Sequence, residues 1–187
     1  MPILGALMGF FFLSGAMSVL PAQAQAPQAP SIPNYTVTLT AYNAVPEQTD
    51  NDPFVTASGA YSNPEVVAAR SQDLASELPF GTIIELDGPA NAHNTCGYRV
   101  VEPIIGYRII ADTMNARYTD RIDILFSTES NYITAGGRTK NAGTVLGICS
   151  GVTIRVVGHI DGTRPGKFPK TQKQLAALVN GEDLALK

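Results

Sequence analysis

The chain predicts a mainly β domain that closes into a small barrel, and three observations predict it. Short apolar or alternating runs recur between turn residues. No internal repeat or heptad is visible. Closing the sheet on itself also removes the exposed strand edges that so many short strands would otherwise leave.

The first run, Tyr35 to Tyr42 (YTVTLTAY), alternates apolar or aromatic residues with threonine and reads as a half-buried strand. A polar, turn-rich stretch from Pro46 to Pro53 follows, then Phe54 to Tyr61, which passes through Gly59. Val66 to Ala69 is a short buried strand. Ser71 to Leu78 has the character of a helical turn with Ser71 as its N-cap, ended by Pro79-Phe80-Gly81. Thr82 to Leu86 (TIIEL) is the next strand, and Asp87 to Thr95 is a polar surface loop. Further strands are expected at Tyr98 to Val101, Tyr107 to Ala111, Ile122 to Phe126 and Val152 to Val157, with helical character around Ser130 to Ala135. After His159 the chain turns polar and basic and offers one weak amphipathic tail helix through Leu175, Leu178 and Val179.

At 187 residues the chain holds one domain comfortably. Residues 1–24 read as a signal peptide: an apolar stretch from Ile3 to Leu20 precedes small residues at Ala22 and Ala24, with cleavage expected after Ala24. A retained membrane helix is the alternative, and it would be the chain's route to a membrane. Residues 25–34, rich in Pro, Ala and Gln, form a tether; residues 35–160 are the barrel domain and residues 161–187 a polar tail. Export to the periplasm, envelope or extracellular space follows from the leader. The net charge of −3, with scattered Lys and Arg, argues against a nucleic-acid surface. Cys96 and Cys149 are the only cysteines, and an oxidising compartment favours a disulfide between them over two buried thiols.

No GxSxG elbow, phosphate loop, CxxC or HExxH occurs, and His93 and His159 lie far apart in sequence, so neither metal nor cofactor is expected. Asp50-Asn51-Asp52 lacks the glycine and distal glutamate of a calcium loop and reads as a solvated turn. Carboxylates remain. Asp112 closes one apolar run and Asp123 interrupts another, and a tight connection should bring both to one end of the sheet. Either could instead be structural, Asp112 capping the following turn and Asp123 pairing with Arg121 or Arg117.

In order along the chain, TAY (Thr40 to Tyr42), TASG (Thr56 to Gly59), VVAA followed by Asp73, LPFGT (Leu78 to Thr82), ADT (Ala111 to Thr113) and RID (Arg121 to Asp123) resemble the three-aspartate (3D) domain of lytic transglycosylases and stationary-phase muralytic proteins. The resemblance runs from about Tyr35 to Val157. It implies a six-stranded double-psi β-barrel that cleaves peptidoglycan glycan strands, with Asp112 and Asp123, 11 residues apart, matching two of the family's acids and Asp73 the first. The chain departs from the family at Met114 to Asp120, where glycines are usual. Asp123 is expected to be general acid and base, being the more desolvated, with Asp112 raising its pKa and Asp73 lying further out. Thr40, Tyr42, Thr56, Ser58 and Asn115 are candidate sugar-binding groups, since hydroxyl and amide side chains suit carbohydrate. Tyr118 stacks on sugar or fills the core. A non-catalytic wall-binding barrel and a structural envelope domain are the competing readings.

Overall fold

The computed structural model describes residues 33–50, 52–89, 96–161 and 168–181; the expected leader, most of the tether, Asn51 and His93 lie outside the described residues. Eight strands are described: β1 (Asn34–Asn43), β2 (Val67–Arg70), β3 (Thr82–Asp87), β4 (Arg108–Thr113), β5 (Arg121–Phe126), β6 (Asn131–Ile133), β7 (Thr139–Asn141) and β8 (Cys149–His159). Three short α-helices accompany them, α1 (Tyr98–Ile105), α2 (Ala142–Leu146) and α3 (Gln172–Val179). Six strands close a mixed barrel in the order β1-β5-β2-β4-β3-β8, while β6 and β7 form a separate hairpin. Two of its pairings, β1 with β5 and β2 with β4, are parallel and the others antiparallel, consistent with a double-psi barrel.

Alternation explains the two cores. Val37, Leu39, Ala68, Ile84, Ile110, Ile122, Ile124 and Ile154 are buried together, whereas Val67, Ile83, Ile109, Ala111 and Leu125 point the other way into a second cluster. That outer cluster is roofed by Tyr42, Ala60, Met114 and Leu175. The tail is therefore part of the packing: Leu175 is fully buried, and Gln172 bonds both the N–H and the C=O of Tyr107. Gly106 permits this approach, because a Cβ there would collide with the Gln172 amide, and its φ of 56° suits glycine.

Arg108 is 1% exposed and has no carboxylate partner among the described residues. Its guanidinium donates instead to the carbonyls of Ile104, Ile105, Pro64 and Leu125, at 2.6 to 3.2 Å. Ile104 and Ile105 are the last residues of α1, where the helix dipole is negative, so the cation tethers that helix end to the barrel.

Three local expectations are corrected. Tyr98 to Val101 is helix, not strand: Tyr98, Val101 and Ile105 bury one face at helical spacing between Gly97 and Gly106. The segment around Ser130 to Ala135 is the β6–β7 hairpin, turned through Gly137 at φ 72°. Ser71 precedes a four-residue 3₁₀ turn, Gln72–Ala75, without capping it; its hydroxyl instead accepts the N–H of Arg121. Cys96 and Cys149 are joined by a disulfide.

Candidate active-site cleft

The site is a row drawn across four neighbouring strands. Thr40 of β1 pairs with Asp123 of β5, Asp123 pairs with Ala69 of β2, and Ala69 pairs with Asp112 of β4. A register shift between β2 and β4 makes this row: Ala68 faces Ile110, but the next residue, Ala69, faces Asp112 rather than Ala111. A bulge of one residue re-aims a side chain, and here it sets a carboxylate where an alanine would otherwise stand. Two strand spacings set the Cα atoms of Asp112 and Asp123 about 10 Å apart, with Ala69 between them in the register. The gap is the floor of a cleft of about 620 Å³ lined by Tyr42, Ala69, Asp112, Asn115, Arg117, Tyr118 and Asp123, with Glu47 to Asp50 on its rim.

Burial raises the pKa of Asp123 to about 6. The Thr40 hydroxyl, donating to its Oδ1 at 2.7 Å, and the charge of Arg121 pull the other way, while Asp112 contributes the smallest upward push. Desolvation, more than the second carboxylate, therefore sets the proton affinity. Asp112 is held by three donors: the Tyr42 hydroxyl at 2.8 Å and the backbone N–H groups of Ala57 and Thr113, each at 2.9 Å. The Thr113 bond is the local cap that the sequence allowed; the other two come from distant segments. Tyr42 stays a donor, because burial first and Asp112 second push its phenol far above the usual value. No ion pair joins Asp123 to Arg117 or Arg121 among the described residues.

The remaining expected residues separate into those at the cleft and those behind it. Asn115 lines it, and its Oδ1 accepts the N–H of Arg117. Thr40 reaches it only through Asp123. Thr56 and Ser58 bond each other at 3.0 Å and do not line the cleft; Thr56 is buried and shapes the turn whose Ala57 N–H reaches Asp112. Asp73 does not line it either. Its carboxylate accepts the N–H of Asp120 at 2.9 Å, and the Ser71 hydroxyl together with that N–H holds its pKa below the usual value. Among the described residues Asp120 is the non-glycine residue with positive φ (50°), so Asp73 fixes the left-handed end of the connection that carries Arg117 and Tyr118. Ala69 and the Ala57 N–H were beyond sequence reasoning, since only the barrel's register brings them to Asp112.

Tyr118 is partly buried against the outer core, as a core residue would be, and it also lines the cleft. Asp50 and Asp52 accept backbone N–H groups two residues on, at 3.0 and 3.2 Å, as a polar turn does. His159 is the last residue of β8. No group of metal-ligating side chains is found among the described residues.

No protein-family model matches the chain, and no curated protein does.

Proposed function

We propose that this protein is an exported enzyme that cleaves peptidoglycan glycan strands, with Asp123 as both acid and base. The observation that carries the reading is one desolvated carboxyl group, with a pKa of about 6, in an open cleft beside a second carboxylate that three donors hold in place. The ordered likeness to three-aspartate domains supplies the substrate class. Protonated Asp123 gives its proton to the glycosidic oxygen as the bond to the muramyl anomeric carbon breaks. The resulting carboxylate then takes the proton of the muramyl primary hydroxyl, whose oxygen bonds that carbon and closes an anhydro ring. Asp112, kept as an acceptor by Tyr42 and two amides, orients the sugar and stabilises positive charge at the anomeric carbon.

The test is incubation of the purified protein with sacculi, followed by mass spectrometry of the soluble products. Anhydro-muropeptides are expected; reducing-end sugars would indicate hydrolysis by water instead. Asp123→Asn is expected to lose at least about 100-fold in product yield, the scale of a missing general acid. Full yield from that variant overturns the assignment. A non-catalytic wall-binding barrel is the second reading, favoured by the three hydrogen bonds that already occupy Asp112. Cosedimentation with sacculi but no product from the wild-type protein would select it.

A further inference from the structure

The cleft is acidic except at one wall. Glu47, Asp50, Asp112 and Asp123 line it, and Arg117 is the one cation among its described lining residues. The guanidinium carbons of Arg117 and Arg121 lie 4.8 and 4.9 Å from the centroid of the Tyr118 ring. One Nη2 of Arg117 also donates to the Tyr118 hydroxyl at 2.8 Å. Neither arginine forms an ion pair among the described residues; the pairs there are those of Arg155 with Glu85 and Asp87. Two like charges gathered on one aromatic ring repel each other, and an anion received beside them relieves that repulsion. The planar fork of arginine fits a carboxylate in two-point contact, which a sugar hydroxyl does not use.

We propose that Arg117, positioned by Tyr118 and backed by Arg121, is a carboxylate-recognition point of the cleft. It selects strands whose muramyl substituent carries a free carboxylate, either on the peptide stem or on the lactyl group. The inference rests on the reading of the cleft as a glycan site. It also gives the connection at Met114 to Asp120, where the chain leaves the three-aspartate pattern, a function of its own: bulk and charge that read a substituent, in place of glycines that admit the sugar backbone.

Soluble glycan strands in three forms test it: with intact peptide stems, with all carboxylates converted to amides, and with stems removed so that only lactyl carboxylates remain. For the wild type, amidation is expected to raise KM about fivefold with kcat unchanged, the weight of one partly exposed ion pair. Arg117→Gln is expected to show the high KM on intact and amidated strands alike, and Arg117→Lys to recover part of the difference. With the stem attached the lactyl carboxyl is held in an amide, so a lower KM on intact than on amidated strands assigns a stem carboxylate, and a lower KM on stem-free strands alone assigns the lactyl one. A KM on amidated strands equal to that on both intact and stem-free strands in the wild type overturns the inference while leaving the glycan-cleaving reading untouched. So does discrimination that survives in Arg117→Gln. Should the wild type cleave none of the three, the enzyme reading falls, and equilibrium binding of the same strands tests the inference by the same comparison.

Discussion

Ionising Asp123 costs the fold free energy, because its side chain leaves water for the floor of the cleft and keeps, among the described residues, only the Thr40 hydroxyl as a close donor. Its pKa rises from 3.8 to about 6, which corresponds to about 3 kcal/mol. Below about pH 4 the group is protonated in both folded and unfolded chains and makes no difference; between about pH 4 and 6 the folded state alone keeps the proton, so stability falls as pH rises; above that window the whole penalty applies. Asp123→Asn should therefore be more stable than the wild type at pH 7, by up to about 3 kcal/mol in chemical denaturation, with the gain gone at pH 4. Equal effects at both pH values would show that burial is not what raises the group. The same proton governs turnover. On the proposed mechanism kcat/KM falls as pH rises through about 6, and Thr40→Val, which removes a bond favouring the ionised form, moves that midpoint upward. An unmoved midpoint would separate Thr40 from the titration.

The connection between β4 and β5 is anchored at both ends. The Met114 N–H donates to the carbonyl of Arg70, the Asp120 carbonyl accepts from Thr38, and Asp73 takes the Asp120 N–H. Asp73 thus holds the β5 end of the loop. Its pKa is depressed, so its contribution is present above the unfolded value near 3.8 and is lost as pH falls through the folded one. Asp73→Asn should lose at most about 1 kcal/mol at pH 7, since the carboxylate is exposed, and should speed hydrogen exchange at the Asp120 amide. Unchanged exchange there would remove the latch. Strands such as β1 and β5 were legible because alternation survives in YTVTLTAY and RIDILF. Helix α1 was not, because Val100 and Val101 look strand-like over four residues and only the later burial of Ile105 reveals the helical period. The β6–β7 hairpin hid in the same way behind a stretch too short to show any period. Within the site, the two acids stood out as polar residues in apolar runs. The bulge that sets Asp112 opposite Ala69 leaves no mark on composition, since it arises from pairing between strands far apart in the chain.

Closure joins these parts into one cooperative unit: β1 pairs with β5 and β8, and β3 with β4 and β8, so no barrel strand keeps a free edge. The row that carries Thr40, Asp123, Ala69 and Asp112 uses β1, β5, β2 and β4. The disulfide acts elsewhere, tying Cys96, just before α1, to Cys149 at the start of β8 across a separation of 53 residues. A link of that span is worth about 4 kcal/mol when it acts by restricting the unfolded chain. Replacing both cysteines with serine should therefore lower the denaturation midpoint and raise the dependence of stability on denaturant, because the freed unfolded chain exposes more surface. At temperatures where the variant remains folded, the pH midpoint of kcat/KM should not move, since neither sulfur belongs to the row that sets the Asp123 environment. A lowered midpoint of denaturation with an unshifted pH profile assigns the bridge to stability alone. A shifted profile would mean that the barrel transmits strain from β8 through β1 to Thr40, and that the cleft's proton affinity is a property of the closed sheet rather than of its four-strand floor.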